Sequence, residues 1–133
     1  MTDIENQVFT RVKQAVTAVY SGAFVSGTTV DAPPQFPCVY VVERSNTSLR
    51  STQDSSSTDN HSVLMYQVDI YSAKVNGKKA EAKAIGQIVD GVFVNLGFTR
   101  AMFEPTDNAD TSIYRITARY NAIVDKNERI YRR

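Results

Sequence analysis

Little in this sequence can carry bond-making chemistry. Among its 133 residues there is one histidine, His61, and one cysteine, Cys38. A zinc site of the usual nitrogen and sulfur type needs three or four such ligands, so a single chain cannot assemble one. A lone cysteine also excludes an internal disulfide. Its neighbours Phe36, Pro37, Val39 and Tyr40 are the surroundings of a small buried residue, not of an activated thiolate. A Ser-His-Asp relay would have to run through His61, which lies in a Ser/Thr-rich stretch, and no Gly-x-Ser-x-Gly elbow occurs. A phosphate cradle is missing too: Asn76-Gly77-Lys78-Lys79 lacks the first glycine of a P-loop and the hydroxyl residue after its lysine. Carboxylates are numerous but scattered. No apolar run approaches the ~20 residues that span a bilayer. The first residues lack the basic, apolar and small-residue order of an export signal, so cytosolic synthesis without export is expected. On that expectation Asn46-Thr47-Ser48 and Asn60-His61-Ser62 are chance matches to the glycosylation pattern. These absences make an enzyme an unfavourable reading, with no cofactor, metal or catalytic residue to assign.

What is present is an ordinary globular composition, 42% hydrophobic and 22% charged, with a net charge of +1. The length suits one domain over 1–133. Its organising stretch runs from Val63 to Leu96. In Val63–Tyr71, Leu64, Tyr66, Val68 and Ile70 alternate with Gln67 and Asp69, the period of a half-buried strand. Asn76-Gly77 forms a hinge. Ala84, Ile85, Ile88, Val89, Val92 and Leu96 then recur at helical spacing, and Gly97 is placed for a left-handed cap with Phe98 packing back over the last turn.

Before this unit, residues 2–20 read as an amphipathic helix. Thr2-Asp3-Ile4-Glu5 fits a capping box, Ile4, Val8, Val12, Ala15, Val16 and Val19 form the apolar stripe, and Glu5, Arg11, Lys13 and Gln14 face water. Residues 21–37, with Gly22, Gly27, Pro33, Pro34 and Pro37, are expected to be an irregular connector. Cys38–Glu43 is a dense β-favouring run. Residues 44–62 are the outlier, with Leu49 the one aliphatic residue before Val63; such a segment buries too little apolar area to offset the entropy of ordering it. It is either a flexible hairpin loop or an arm that orders against a neighbouring subunit. Phe98–Glu104 and Ser112–Val124 are two further strands, joined by the turn cluster at 105–110. Tyr114, Ile116, Ala118, Tyr120, Ala122 and Val124 share one face of the last strand; Ile113, Arg115, Thr117, Arg119 and Asn121 share the other. Residues 125–133 form a polar, basic tail. The order is α-β-β-α-β-β, an α+β domain with a mainly antiparallel sheet of about four strands and both helices free to cover one face.

Charge is unevenly placed. Residues 115–133 hold six Lys/Arg against two acids, a net +4, while the other 114 residues hold nine against twelve, a net −3. A domain this close to neutrality lacks the broad basic field of a nonspecific nucleic-acid binder, although an open sheet with aromatics and arginines could stack single-stranded bases. The asymmetry suits head-to-tail self-association equally well.

Phe36-Pro37-Cys38-Val39, Tyr66–Ser72, Gly77–Ile85, Leu96-Gly97-Phe98-Thr99-Arg100 and the closing Ile113-Tyr114-Arg115, Arg119-Tyr120 and Ile130-Tyr131-Arg132-Arg133 together resemble the tail terminator, or tail-completion, proteins of long-tailed bacteriophages. The resemblance spans roughly Pro33 to the C-terminus and lies in the order of segments. It implies a sheet flanked by helices, in a hexameric ring at the head-proximal end of the tail tube. Such a ring stops tube polymerisation and meets the head-side connector. The implied partners are copies of the chain, the major tail tube protein and a head-closure or connector protein, with genomic DNA passing through the lumen and no membrane. The implied location is the virion, after assembly in the host bacterial cytoplasm. A head-closure or adaptor protein of the neck is the nearest alternative. No catalytic residue is carried over. Candidate interface residues are Arg50, Asp54 and Asp59 in the long loop, Arg115 and Arg119 on the sheet, and Arg129, Tyr131, Arg132 and Arg133 in the tail. In this reading Asp54 and Asp59 repel passing DNA, Arg50 pairs with a neighbour, and Arg115 and Arg119 meet acids of the next subunit.

Overall fold

A computed structural model describes residues 3–28, 35–48, 61–107, 110–125 and Ile130. Its elements are α1 (Glu5–Val19), β1 (Phe24–Ser26), β2 (Cys38–Ser48), β3 (His61–Ser72), α2 (Lys78–Leu96), β4 (Thr99–Thr106) and β5 (Tyr114–Asp125). The fold is α+β. Five strands form one sheet in the order β1-β2-β3-β5-β4, antiparallel except where β1 pairs with β2.

The apolar alternation of the central strands decides which face the helices cover. Register places Val39 opposite Ile70, Val41 opposite Val68, Ile70 opposite Ile116, Val68 opposite Ala118 and Tyr66 opposite Tyr120. All of these side chains are buried, against Val8, Val12 and Val16 of α1 and Ile85, Val89 and Phe93 of α2. At the centre, Phe93 stacks on Tyr120 with centroids 4.3 Å apart, and Phe98 meets both Phe93 and Tyr66 edge-on. Offset and edge-to-face contacts of this kind add about 0.5–1.5 kcal/mol each beyond burial. The two core tyrosines keep their hydroxyls satisfied. Tyr66 donates to Glu43 Oε1 at 3.1 Å, and Tyr120 donates to Asp90 Oδ1 at 2.8 Å.

Gly97 ends α2 in the left-handed region with φ of 104°. Its N–H reaches Val94 O at 3.0 Å and that of Phe98 reaches Phe93 O at 2.9 Å, the paired bonds of a Schellman motif, with Phe98 buried as expected.

Several expectations need correction. The connector at 21–37 contains a strand: β1 is three residues long and pairs in parallel on the sheet edge, too short to show a period. The sheet therefore has five strands, one more than the roughly four read from the sequence, and is mainly antiparallel as expected. β2 runs past Glu43 to Ser48 across an irregularity at Arg44, because Asn46, Thr47 and Ser48 gain backbone partners in Leu64, Val63 and Ser62. The polar stretch is thus strand at both ends, and its residues 49–60 lie outside the described residues. β4 continues through Pro105 to Thr106; a proline is tolerated there because the strand lies at the sheet edge. The helix stripes are also shifted. Val19 is 65% exposed, whereas Ala82, Gly86 and Phe93 are buried and Ala84, Ile88 and Val92 lie at the shoulder of α2. Helix α1 begins at Glu5, whose N–H bonds Asp3 Oδ1 at 3.0 Å, and Ile4 at the cap position supplies no side-chain bond; Thr2 of the expected capping box lies outside the described residues.

A candidate interface on the open face of the sheet

The face of the sheet turned away from α1 and α2 carries the side chains that the strand period sends outward. Cross-strand pairing sets them in rows: Cys38, Tyr71 and Arg115; Tyr40, Asp69 and Thr117; Val42, Gln67 and Arg119; then Met65 beside Asn121 and Val63 beside Ile123. Gln67 and Asp69 stand on the polar face of this half-buried strand, yet they are 6% and 7% exposed. The reason is a closed polar network. Asp69 Oδ1 accepts from Arg115 Nε at 3.1 Å, Arg115 Nη2 at 3.0 Å and Thr117 Oγ1 at 2.7 Å, and Oδ2 accepts from Gln67 Nε2 at 2.9 Å. Thr106 Oγ1 of β4 donates to Thr117 Oγ1 at 2.7 Å. A buried carboxylate is costly unless paired and hydrogen-bonded, and here both oxygens are satisfied within the chain.

An aromatic strip continues this half of the face. The Arg115 guanidinium lies 5.4 Å from the Tyr71 ring, Tyr71 meets Tyr40 edge-on at 5.6 Å, and Tyr40 meets Phe24 at 6.5 Å. Burial raises the Tyr71 phenol above its ordinary pKa against the opposing pull of Arg115, and burial likewise raises the Cys38 thiol. A buried, protonated thiol is not a nucleophile. Tyr40 is 2% exposed, which leaves its ring unavailable for stacking a base.

The other half of the face is open. Arg119 is exposed and donates through Nε to the neutral Gln67 Oε1 at 3.2 Å; among the described residues no carboxylate pairs with it. Around it Val42, Val63, Met65, Met102 and Ile123 are half-buried, and the buried Oδ1 of Asn121 has no hydrogen-bond partner among the described residues. The two arginines singled out from sequence therefore have different duties. Arg115 is tied to a carboxylate of its own chain; Arg119 has no acidic partner among the described residues. Arg50, Asp54, Asp59, Arg129, Tyr131, Arg132 and Arg133 lie outside the described residues.

At the margin of the helix side, sequence reasoning missed a group of acids. The carboxylates of Asp3, Glu5 and Glu43 present oxygens within 4.8 Å of one another, the one such grouping of three possible metal ligands among the described residues. Desolvation raises the Glu43 carboxyl above its ordinary pKa, the Tyr66 hydroxyl bond opposes this, and the Glu5 and Asp3 charges add to the rise. On the same side Asp90 accepts from Tyr120 and pairs with Arg100 at 3.3 Å. The spacing of Asp3 and Glu5 hinted at nothing, because Glu43 joins them only through the fold. The network around Asp69 left a fainter signal: two neighbouring strands, each with polar residues at period two and of opposite sign.

No family model matches the chain, and no curated protein matches it. A solved structure does: a chain of the virion of a native gene transfer agent particle aligns over 92% of this chain and 94% of that chain, with a TM-score of 0.65 at 15% identity. The likeness is one of fold. Among the described residues no helix is long and apolar enough to cross a membrane.

Proposed function

We propose that this chain is a structural virion protein, the subunit of a ring at the head-proximal end of a phage tail tube, which stops tube polymerisation and joins the tail to the head connector. The observation that carries this reading is the near end-to-end fold match to a chain of a gene transfer agent virion. The order of sequence segments shared with tail terminator proteins supports the same assignment. A ring subunit works by contact: a rigid two-layer body presents heterologous surfaces that close on rotation. The half-open sheet face suits that use, since its apolar residues surround an arginine, a composition enriched in interface cores. In this reading the chain forms a homohexamer, touches the tail tube protein on one side and the head-closure protein on the other, and lets DNA pass without reading it. Arg50, Asp54, Asp59 and the tail residues Arg129, Tyr131, Arg132 and Arg133 serve contacts with neighbours or the lumen. The chain performs no catalysis and resides in the virion after assembly in the host cytoplasm.

The test is reconstitution. Purified chain mixed with tail tube protein should cap the tubes at one end and fix their length, visible by negative-stain imaging. Tubes that grow unchanged in its presence would refute the terminator role. Labelled chain found on the head side of the neck ring would favour a head-closure role instead.

A further inference from the structure

We propose that the open half of the sheet face is the docking surface for a second copy of this chain, whose acidic group Asp3, Glu5 and Glu43 meets Arg119. This deepens the ring reading and rests on it. The two patches are complementary in charge, and among the described residues neither has a counterion. Arg119 bonds a neutral amide, and no described cation pairs with any of the three carboxylates. Two exposed acids and one half-buried acid held within 4.8 Å repel one another, so a guanidinium brought among them relieves that repulsion and gains charge-assisted hydrogen bonds. The half-buried apolar ground around Arg119, formed by Val42, Met65, Met102 and Ile123, supplies area that a neighbour can cover.

Geometry selects the kind of contact. Arg119 points from the open face, whereas Glu43 shares the helix-side face with its hydrogen-bond partner Tyr66, and Asp3 and Glu5 ride on the start of α1. The two patches therefore look in opposite directions from one subunit. A two-fold contact through paired open faces would bring two Arg119 charges together, which opposes it. A head-to-tail contact brings each Arg119 to an acidic group and leaves both kinds of patch available for the next copy, the arrangement that closes into a ring.

The experiment is light scattering with size-exclusion chromatography on the full chain over a concentration series, at low and high salt. Arg119→Glu and the double change Asp3→Lys/Glu5→Lys alter exposed positions, and thermal melts establish that each variant folds. Each should weaken self-association about tenfold or more at low salt and less at high salt. Combining all three should recover most of the wild-type assembly, which a merely structural role would not do. An Arg119→Glu chain that assembles as the wild type does, or a combined variant that fails to recover although folded, overturns the proposal and leaves the ring reading intact. A wild-type chain that remains monomeric both alone and with tube protein overturns both.

Discussion

Replacing Asp69 with alanine withdraws the acceptor on which Arg115, Thr117 and Gln67 converge. Thr117 and Gln67 are 5% and 6% exposed, so water cannot readily replace the lost carboxylate. Arg115 is left with its charge over the Tyr71 ring and no anion. Deleting one partner of a fully buried pair costs about 3–5 kcal/mol. The Arg115 side chain retains 26% of its exposure and Asp69 11%, so solvent offsets part of that. The expected loss is about 2–4 kcal/mol, a large share of the ~5–15 kcal/mol that holds a domain of this size together. Urea denaturation followed by circular dichroism reads it as a lower midpoint at unchanged slope. Removing Arg115 alone should cost less, because Asp69 keeps Thr117 and Gln67, and the double variant should fall short of the sum by about 1–2 kcal/mol. An Asp69→Ala chain within about 0.5 kcal/mol of the wild type would refute the idea that this network closes half of the sheet face. The same reasoning affects how interface variants are read. Charge reversal at Arg115 breaks an ion pair of the fold as well as any contact, whereas reversal at the exposed Arg119 removes one hydrogen bond to Gln67 and so tests contact at less cost to the fold.

Other consequences follow from single positions. Glu43 has a raised folded pKa, caused first by burial, so the folded chain binds that proton more tightly than the unfolded chain does. Its contribution is fully present below the ordinary carboxylate range and is lost as pH rises through the raised value. Glu43→Gln, which keeps an acceptor for Tyr66, should therefore be more stable than the wild type near neutrality by about 0.5 kcal/mol, with the advantage shrinking on acidification; chemical denaturation at several pH values decides, and a gap that widens toward low pH contradicts the assignment. Gly97→Ala forces an L side chain to a φ of 104° and should cost about 1–2 kcal/mol, seen as a lowered melting temperature. At Gly86 an added Cβ would lie 2.4 Å from Phe103 Cζ, so Gly86→Ala should destabilise by about 1–2 kcal/mol despite the better helix propensity of alanine. In a Phe103→Leu background the same change should be neutral or stabilising, and equal losses in both backgrounds would exclude the ring as the cause.

Much of the fold can be read from the chain because each long element has one clear period. Val63–Tyr71 and Ser112–Val124 alternate cleanly, and Gly97-Phe98 ends a helix in the one way that combines a left-handed residue with an apolar one behind it. What escaped was set by partners rather than by local pattern. The three residues of β1 become a strand because β2 offers an edge. Polar Asn46, Thr47 and Ser48 become strand because Val63 and Leu64 hold the other side of the hairpin. The interface was legible in part. Arg115 and Arg119 alternate on one strand face in sequence, but only the register with Gln67 and Asp69 shows that the first is neutralised at home and the second, among the described residues, is not. The acidic group is further from reach, since Glu43 is about forty residues from Asp3 and Glu5 in sequence.

The claim that this chain acts through copies of itself is tested most directly by its mass in solution with its assembly partner. Multi-angle light scattering of the chain alone at high concentration should show a closed species near six times the 14.8 kDa subunit mass, and tail tube protein should carry that species into a heavier complex. A mass of one subunit under every condition would contradict the account.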